Sequence, residues 1–187
     1  TTQLTTPVTA LCYNLMLSRL IGGIGVSTFS VLSFLYSLAN AILSGVAQGL
    51  QPLWGLCYGR KDTDGMAWYL RSGLVINAVL SVLIYGALFL FDVPVIRIFN
   101  QEPALIQEAS AALPLFALSF VPMALNLVYT AYFFSTKRTG TANAIAVSRG
   151  IVVKALLIFC LPLLFGTKAI WLAPFVTEAV TLAAAIV

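Results

Sequence analysis

The sequence predicts an all-α integral membrane protein, a bundle of six transmembrane helices. Three observations carry that prediction. Of 187 residues, 60% are hydrophobic and 9% charged, and the mean hydropathy is +1.00. A soluble domain is about 45–50% apolar and about 25% charged, and its outer surface has to be polar. The stretch between Arg19 and Arg60 carries no charge at all. Polar or Gly- and Pro-bearing turns divide the rest into runs at or above the roughly 20 residues that a hydrocarbon core requires. With short loops, this length holds about six such spans.

The first helix is predicted over Thr2–Leu20, ended by Gly22-Gly23-Ile24-Gly25. The second covers Ser27–Tyr58. It is longer than a bilayer is thick, which implies tilt or protrusion. Arg60-Lys61-Asp62-Thr63-Asp64-Gly65 forms a charged turn, with Asp64 as the expected N-cap of a third helix over Met66–Phe91. A polar loop follows, holding Asp92, Pro94, Arg97, Asn100, Gln101, Glu102 and Pro103. The fourth helix is predicted over Ala104–Ser135. Pro114 and Pro122 lie inside it, and Pro122 implies either a static kink or a hinge. After Lys137-Arg138-Thr139-Gly140 a fifth helix runs over Ala142–Phe165. Gly166-Thr167-Lys168 closes it, and a sixth starts near Ile170. The chain begins at Thr1 and ends in the apolar run Ala184–Val187. The first and last helices are therefore expected to be truncated, and the chain to be a piece of a larger protein.

The net charge of +4 comes from ten Lys and Arg against six Asp and Glu, with no histidine. These charges sit at turns, which argues against nucleic-acid binding and for a membrane topology signal. Arg60, Lys61, Arg71, Lys137, Arg138 and Arg149 fall on one side of the bundle, and Arg19, Arg97 and Lys168 on the other. Basic residues gather at cytoplasmic loops. The turns after the second and fourth helices, and both chain ends, are thus expected in the cytoplasm. Cys12, Cys57 and Cys160 are odd in number and lie far apart in apolar stretches, so neither a disulfide framework nor a zinc site is expected. No basic-headed signal peptide, P-loop, nucleophile elbow or zinc-protease helix motif occurs. Asp62-Thr63-Asp64 resembles a metal-binding Asp-x-Asp only weakly, and helix capping explains it better. With no nucleophile–base pair, the chain is not expected to be an enzyme.

The second helix carries the sharpest pattern. Ser33, Ser37, Asn40, Ser44, Gln48 and Gln51 recur every three or four residues and fall within about ±40° of one line. Each unpaired amide costs several kcal/mol in hydrocarbon, so the stripe faces either other helices or a water-filled cavity. Beside it lie Ala41, Gly45 and Gly49, a small-residue ridge suited to close helix contact. The fourth helix repeats the pattern more weakly with Ser119, Asn126, Tyr129 and Thr130. The first offers Thr2, Thr6, Thr9 and Tyr13, and the third only Asn77 and Ser81. The expected arrangement is a cavity shared by the first, second and fourth helices. Its substrate-pathway residues are Ser37, Asn40, Ser44, Gln48, Gln51, Asn126 and Tyr129.

Ionisable residues inside spans are costly and need a reason. Arg149 is about two turns into the fifth helix and can snorkel to the surface. Lys154 lies about 7.5 Å deeper and is expected to face the bundle, holding an anionic group or a structural partner. Glu178, in the sixth helix, is either a proton or cation site or a packing and hydrogen-bonding residue. Glu108 lies near the outer mouth, where solvent reaches it.

Several stretches resemble a known family. Gly45-Val-Ala-Gln-Gly-Leu-Gln-Pro-Leu53 and then Tyr58-Gly59-Arg60-Lys61-Asp62 look like the second helix of one half of the multidrug and toxic compound extrusion (MATE) transporters. Tyr132-Phe-Phe-Ser-Thr-Lys137, with Ala142-Asn143 and Arg149, is similar to the turn between the tenth and eleventh helices. Ile170-Trp-Leu-Ala-Pro174, with Thr177, Glu178 and Thr181, looks like the start of the twelfth. The resemblance implies twelve helices in two six-helix lobes around a central cleft. It implies export of amphiphilic or cationic drugs and toxins across the inner (plasma) membrane in exchange for Na⁺ or H⁺. Residues 1–187 would then be the C-terminal lobe, with the N-terminal lobe and the lipid bilayer as partners. No resident cofactor is implied, and the coupling ion is expected to bind mainly on the other lobe. Some members carry an acid in the tenth or the seventh helix. Val121-Pro-Met-Ala-Leu-Asn126 has none, nor has the first helix here. Glu178 matches a glutamate common in bacterial members, and the match implies no role for it. Two rivals remain: a lipid-linked oligosaccharide flippase of the same superfamily, and a non-transporting membrane scaffold subunit, in which the polar stripe would be wholly buried.

Overall fold

A computed structural model describes residues 5–136 and 153–186. Among these residues there are eight α-helices, one 3-10 helix and no strand. The helices are α1 (Thr5–Leu20), α2 (Gly23–Arg60), α3 (Thr63–Leu90), α4 (Asp92–Phe99), α5 (Pro103–Ala117), α6 (Phe120–Ser135), α7 (Val153–Phe165) and α8 (Ala173–Ile186), the last preceded by the 3-10 helix Thr167–Leu172. The predicted turn at Lys137 and Arg138, the start of the fifth helix with Asn143 and Arg149, and the side chains of Thr2 and Thr6 lie outside the described residues. By length and composition α2 and α3 can each cross a membrane, and α5 with α6 can do so as one bent span.

Helix α2 is a single rod of 38 residues, about 57 Å at about 1.5 Å per residue. A hydrocarbon core is about 30 Å thick, so the rod must tilt or project. Its start is set by Gly22, whose φ of 82° suits a residue without Cβ. Its end is set by Lys61 in the left-handed region, φ 56°. The next helix begins three residues earlier than expected. Asp62, not Asp64, is the N-cap of α3, and its carboxylate accepts the Gly65 N–H at 2.9 Å. Asp64 lies in the first turn, where its charge suits the helix dipole.

The polar stretch after α3 is also a helix rather than a loop. Ile96 fills the core from α4 and outweighs the breaker signal of Pro94, which sits in the first turn where a proline is tolerated. Asp92, in the first turn, accepts the Val93 N–H at 2.7 Å and the Ser110 hydroxyl of α5.

The predicted fourth helix is bent by 41° between α5 and α6. The break is at Leu118 and Ser119, one turn before Pro122. A proline lacks the N–H that would bond the carbonyl four residues earlier, which here is that of Leu118. Ser119 instead turns back on Phe116, donating from both N and Oγ to its carbonyl. Pro114 lies within α5 without breaking it.

On α3 the interior and exterior faces are reversed relative to a soluble bundle. From α3 only Gly73, Asn77 and Ser81 are buried, four residues apart, while Val75, Ile76, Val79, Val82 and Leu83 point outwards. Lipid accepts the apolar face, and the small face lets backbones approach. Asn77 Nδ2 donates to the Leu43 carbonyl of α2 and the Ala124 carbonyl of α6, at 3.3 and 3.1 Å. One amide thereby clasps three helices. The main core runs from Tyr13 and Leu17 of α1 through Leu32, Leu35 and Leu43 of α2 to Phe116, Phe120 and Met123. A smaller cluster of Ala47, Trp54, Val128 and Ala131 lies further along α2 and α6. Cys57 is buried, Cys12 half-buried and Cys160 exposed, and all three are free thiols.

Candidate functional site

The polar stripe of α2 lies on the surface of this bundle, not in its core. The buried line of α2 runs through Leu32, Leu35, Ala39, Leu43 and Ala47. Ser37 and Gln48 are exposed, and Asn40, Ser44 and Gln51 half-buried. The hydroxyls are satisfied locally: Ser37 Oγ donates to the Ser33 carbonyl at 2.9 Å, and Ser44 Oγ to that of Asn40. The amides of Asn40, Gln48 and Gln51 make no hydrogen bond within the described residues, so they are open to solvent or to a partner. The ridge beside them is open as well. A Cβ placed on Gly45 or Gly49 would meet nothing within 4 Å. The ridge therefore does not serve helix contact inside this bundle. Exposed Phe34, Leu38 and Ile42 continue the same side of α2.

The other expected pathway residues divide. Tyr129 is half-buried, its ring 6.4 Å from that of Phe133. Thr130 is half-buried and bonds back to the Asn126 carbonyl at 2.7 Å. Asn126, like Ser119, is fully buried and does not share the open face of α2. Asn77 and Ser81 are core residues too. Tyr13 stacks on Phe29 at 4.3 Å inside the core. The expected cavity thus narrows to the open face of α2, with Tyr129 and Thr130 of α6 only partly accessible.

Asn126 belongs to a second, internal constellation. Its Nδ2 donates both to the main-chain carbonyl and to Oε2 of Glu178, each at 2.9 Å. Glu178 and Asn126 are both 0% exposed. Tyr36 of α2 donates its hydroxyl to Glu178 Oε1 at 3.2 Å. Over the Tyr36 ring, 5.5 Å from its centroid, lies Nζ of Lys154, a position at which the ring's electron-rich face attracts a cation. Lys154 does face the bundle, through an aromatic ring. Local sequence explains the placement on α8. Thr177, Glu178 and Thr181 share the buried side of that helix, and both threonines bond back to carbonyls four residues earlier. Sequence reasoning did not single out Tyr36. In an apolar run it reads as core, and its one signal is that a buried tyrosine hydroxyl needs a partner. Among the described residues no group of three or more acidic, Cys or His side chains could hold a metal ion.

Comparison with known proteins adds the following. The MatE family model matches residues 1–160. A search of curated proteins returns no match. Among solved structures, the chain superposes on an outward-facing multidrug resistance MATE family transporter of the MOP superfamily with TM-score 0.90 at 15% identity. It superposes on a MATE in complex with MaL6 with TM-score 0.90 at 14% identity. A MOP superfamily transporter from Pyrococcus furiosus, described as having a binding pocket of reverse polarity that suggests a different function, gives 0.88 at 17%. In each case 98% of this chain is covered and 42% of the other. The chain thus spans about two fifths of the length of the transporters it matches.

Proposed function

The chain belongs to the MatE family, and from that premise we propose that it forms one lobe, the C-terminal one, of a secondary transporter working by alternating access. The substrates are amphiphilic or cationic compounds, exported across the inner membrane in exchange for Na⁺ or H⁺. The open face of α2 is the lobe's contribution to the substrate pathway. Ser37, Asn40, Ser44, Gln48 and Gln51 offer adaptable polar contacts, and Phe34 and Leu38 apolar ones. The turn between α2 and α3, with Arg60 and Lys61, and the start of α3, with Arg71, face the cytoplasm.

The observation that carries this reading is the exposure of the stripe. A span that presents amides outside its own bundle, with no hydrogen-bond partner there, needs water or a second body against it. A scaffold subunit would hide those amides among its own helices, which Gln48 does not obey. Transporters of this kind rock one repeat against another around a site between them.

Cysteine labelling in the complete transporter tests the proposal. Thiols placed at 37, 44, 48 and 51 should react with a membrane-impermeant reagent, and thiols at 35, 39 and 43 should not. Gln48→Ala and Gln51→Ala should weaken vesicle flux of a cationic dye. Unreactive stripe positions, or unchanged flux in both variants, would remove α2 from the pathway.

A further inference from the structure

We propose that the groove between α4 and α5 binds the head of a membrane phospholipid, a zwitterionic phosphoethanolamine, with its phosphate on Arg97. The inference rests on the chain's place in a membrane and not on the transport reading.

The groove is a cavity of about 740 Å³, within the size range of small-molecule sites. Two helix faces form it. Val93 and Arg97 stand four residues apart on α4, and Ile106, Gln107 and Ser110 share one side of α5. Gln101, in the link between the helices, completes the wall. Arg97, Gln101 and Gln107 are exposed, and none of the three makes a hydrogen bond or ion pair among the described residues. An unpartnered guanidinium takes a phosphate through two parallel N–H bonds. The two amides supply donors for the remaining phosphate oxygens.

Position decides between a lipid and a dissolved phosphate. Helix α3 has 28 residues, about 42 Å at about 1.5 Å per residue. A hydrocarbon core with its headgroup layers is about 40–45 Å thick. Only Phe91 separates α3 from α4, so α4 lies at headgroup level. Its outward line is apolar. Phe91, Pro94 and Ile98 are exposed at spacings of three and four, Ile98 by 80%, while Ile96 on the other side fills the core. A helix at a membrane surface sets such a line into the boundary of the acyl chains. The groove therefore has lipid tails beside it and water above it.

Charge decides between head groups. Among the described residues Arg97 is the one base that lines the groove, and acids stand next to it. Asp92 accepts the Ser110 hydroxyl at the groove wall. Glu102 lies exposed between Gln101 and Pro103, which both line the cavity. An anionic phosphoglycerol head would meet two carboxylates and a single base. Phosphoethanolamine gives its phosphate to Arg97 and its ammonium, with three N–H donors, to the carboxylates. Each Asp92 oxygen accepts one hydrogen bond from the protein and keeps a lone pair for another.

Native mass spectrometry of the complete transporter in detergent counts bound molecules and reads no transport. The protein is titrated with phosphatidylethanolamine, phosphatidylglycerol or the chain-free glycerophosphoethanolamine. Wild type should hold phosphatidylethanolamine about fivefold more tightly than phosphatidylglycerol, and Arg97→Ala should lose about fivefold in affinity for it. Asp92→Asn combined with Glu102→Gln should abolish the preference between heads. Ile98→Asn should weaken the lipid and leave the chain-free head unchanged. Arg97 and Ile98 are exposed, so their variants keep the core intact and stand in if the carboxylate variant fails to fold. Equal retention by wild type and Arg97→Ala overturns the proposal, as does a preference that survives in the folded carboxylate variant. So does glycerophosphoethanolamine binding as tightly as the lipid, since the groove would then be a site for a dissolved phosphate.

Discussion

Replacing Asn126 by leucine measures how far the internal constellation holds the bundle together. Leucine keeps roughly the volume and removes two hydrogen bonds, each 2.9 Å long, to one buried residue. A bond to a charged group contributes about 1.5–3 kcal/mol and a neutral one about 1. The extra apolar burial returns about 1 kcal/mol, which leaves a net loss of about 1.5–3. For a chain of this length that corresponds to an apparent melting point lower by about 3–12 °C. The wild type, Asn126→Leu, Glu178→Met and the double variant form a cycle, followed by tryptophan fluorescence during heating in detergent. Once Glu178 is gone, Asn126→Leu no longer removes a hydrogen bond from a buried carboxylate, so the double variant should cost about 2 kcal/mol less than the sum of the singles. Additivity within about 0.5 kcal/mol would refute the reasoning, because residues that satisfy one another cannot be independent.

Three further outcomes follow from the fold. Asp62→Ala should destabilise the α2–α3 turn by about 1 kcal/mol through loss of the N-cap, whereas Asp64→Ala should change thermal stability by only a few tenths. Equal effects would refute the assigned cap. Pro122→Ala restores the missing donor to the Leu118 carbonyl. If both arms come into line, spin labels at Gln107 and Phe134 should separate by about 2–3 Å at about 1.5 Å per residue, and an unchanged dipolar distance would place the cause of the bend elsewhere. At Gly73 a Cβ would lie 2.5 Å from Leu50 Cδ1 and 3.4 Å from Val128 Cγ1. Gly73→Ile should therefore cost about 1–3 kcal/mol or more by overpacking, while Gly73→Ala should be milder because the Leu50 end group can turn away. Thermal unfolding of the pair decides this.

The long elements were legible because their signals are local. The charge-free run and Gly22 bracket α2, and the three-to-four spacing marks one face of it. That the face is open, and not buried, depends on which bodies surround α2, and no periodicity encodes this. Pro122 marks the helix that bends, but it acts on a carbonyl one turn earlier, so the break precedes the residue that causes it. Helix α4 is not legible because eight residues with a proline and two charges read as a loop, while Ile96 in the core and the Asp92–Ser110 bond hold it down. The internal site was half visible. Glu178 and Lys154 stood out by charge, but Tyr36 lies 142 residues from Glu178, and contacts at that separation leave no mark on local pattern. Asn126, grouped by helical angle with Tyr129, faces α8 and so serves a different end.

The clasp made by Asn77 has a mechanical consequence. Its amide is held by carbonyls of two different helices, so α2 cannot spin about its own axis, nor slide along α6, without stranding a buried donor. A stripe painted on such a rod cannot be hidden or revealed by twisting the rod. Any exchange of which side of the membrane sees Gln48 must therefore carry α2, α3 and α6 together, as a door moves with its frame.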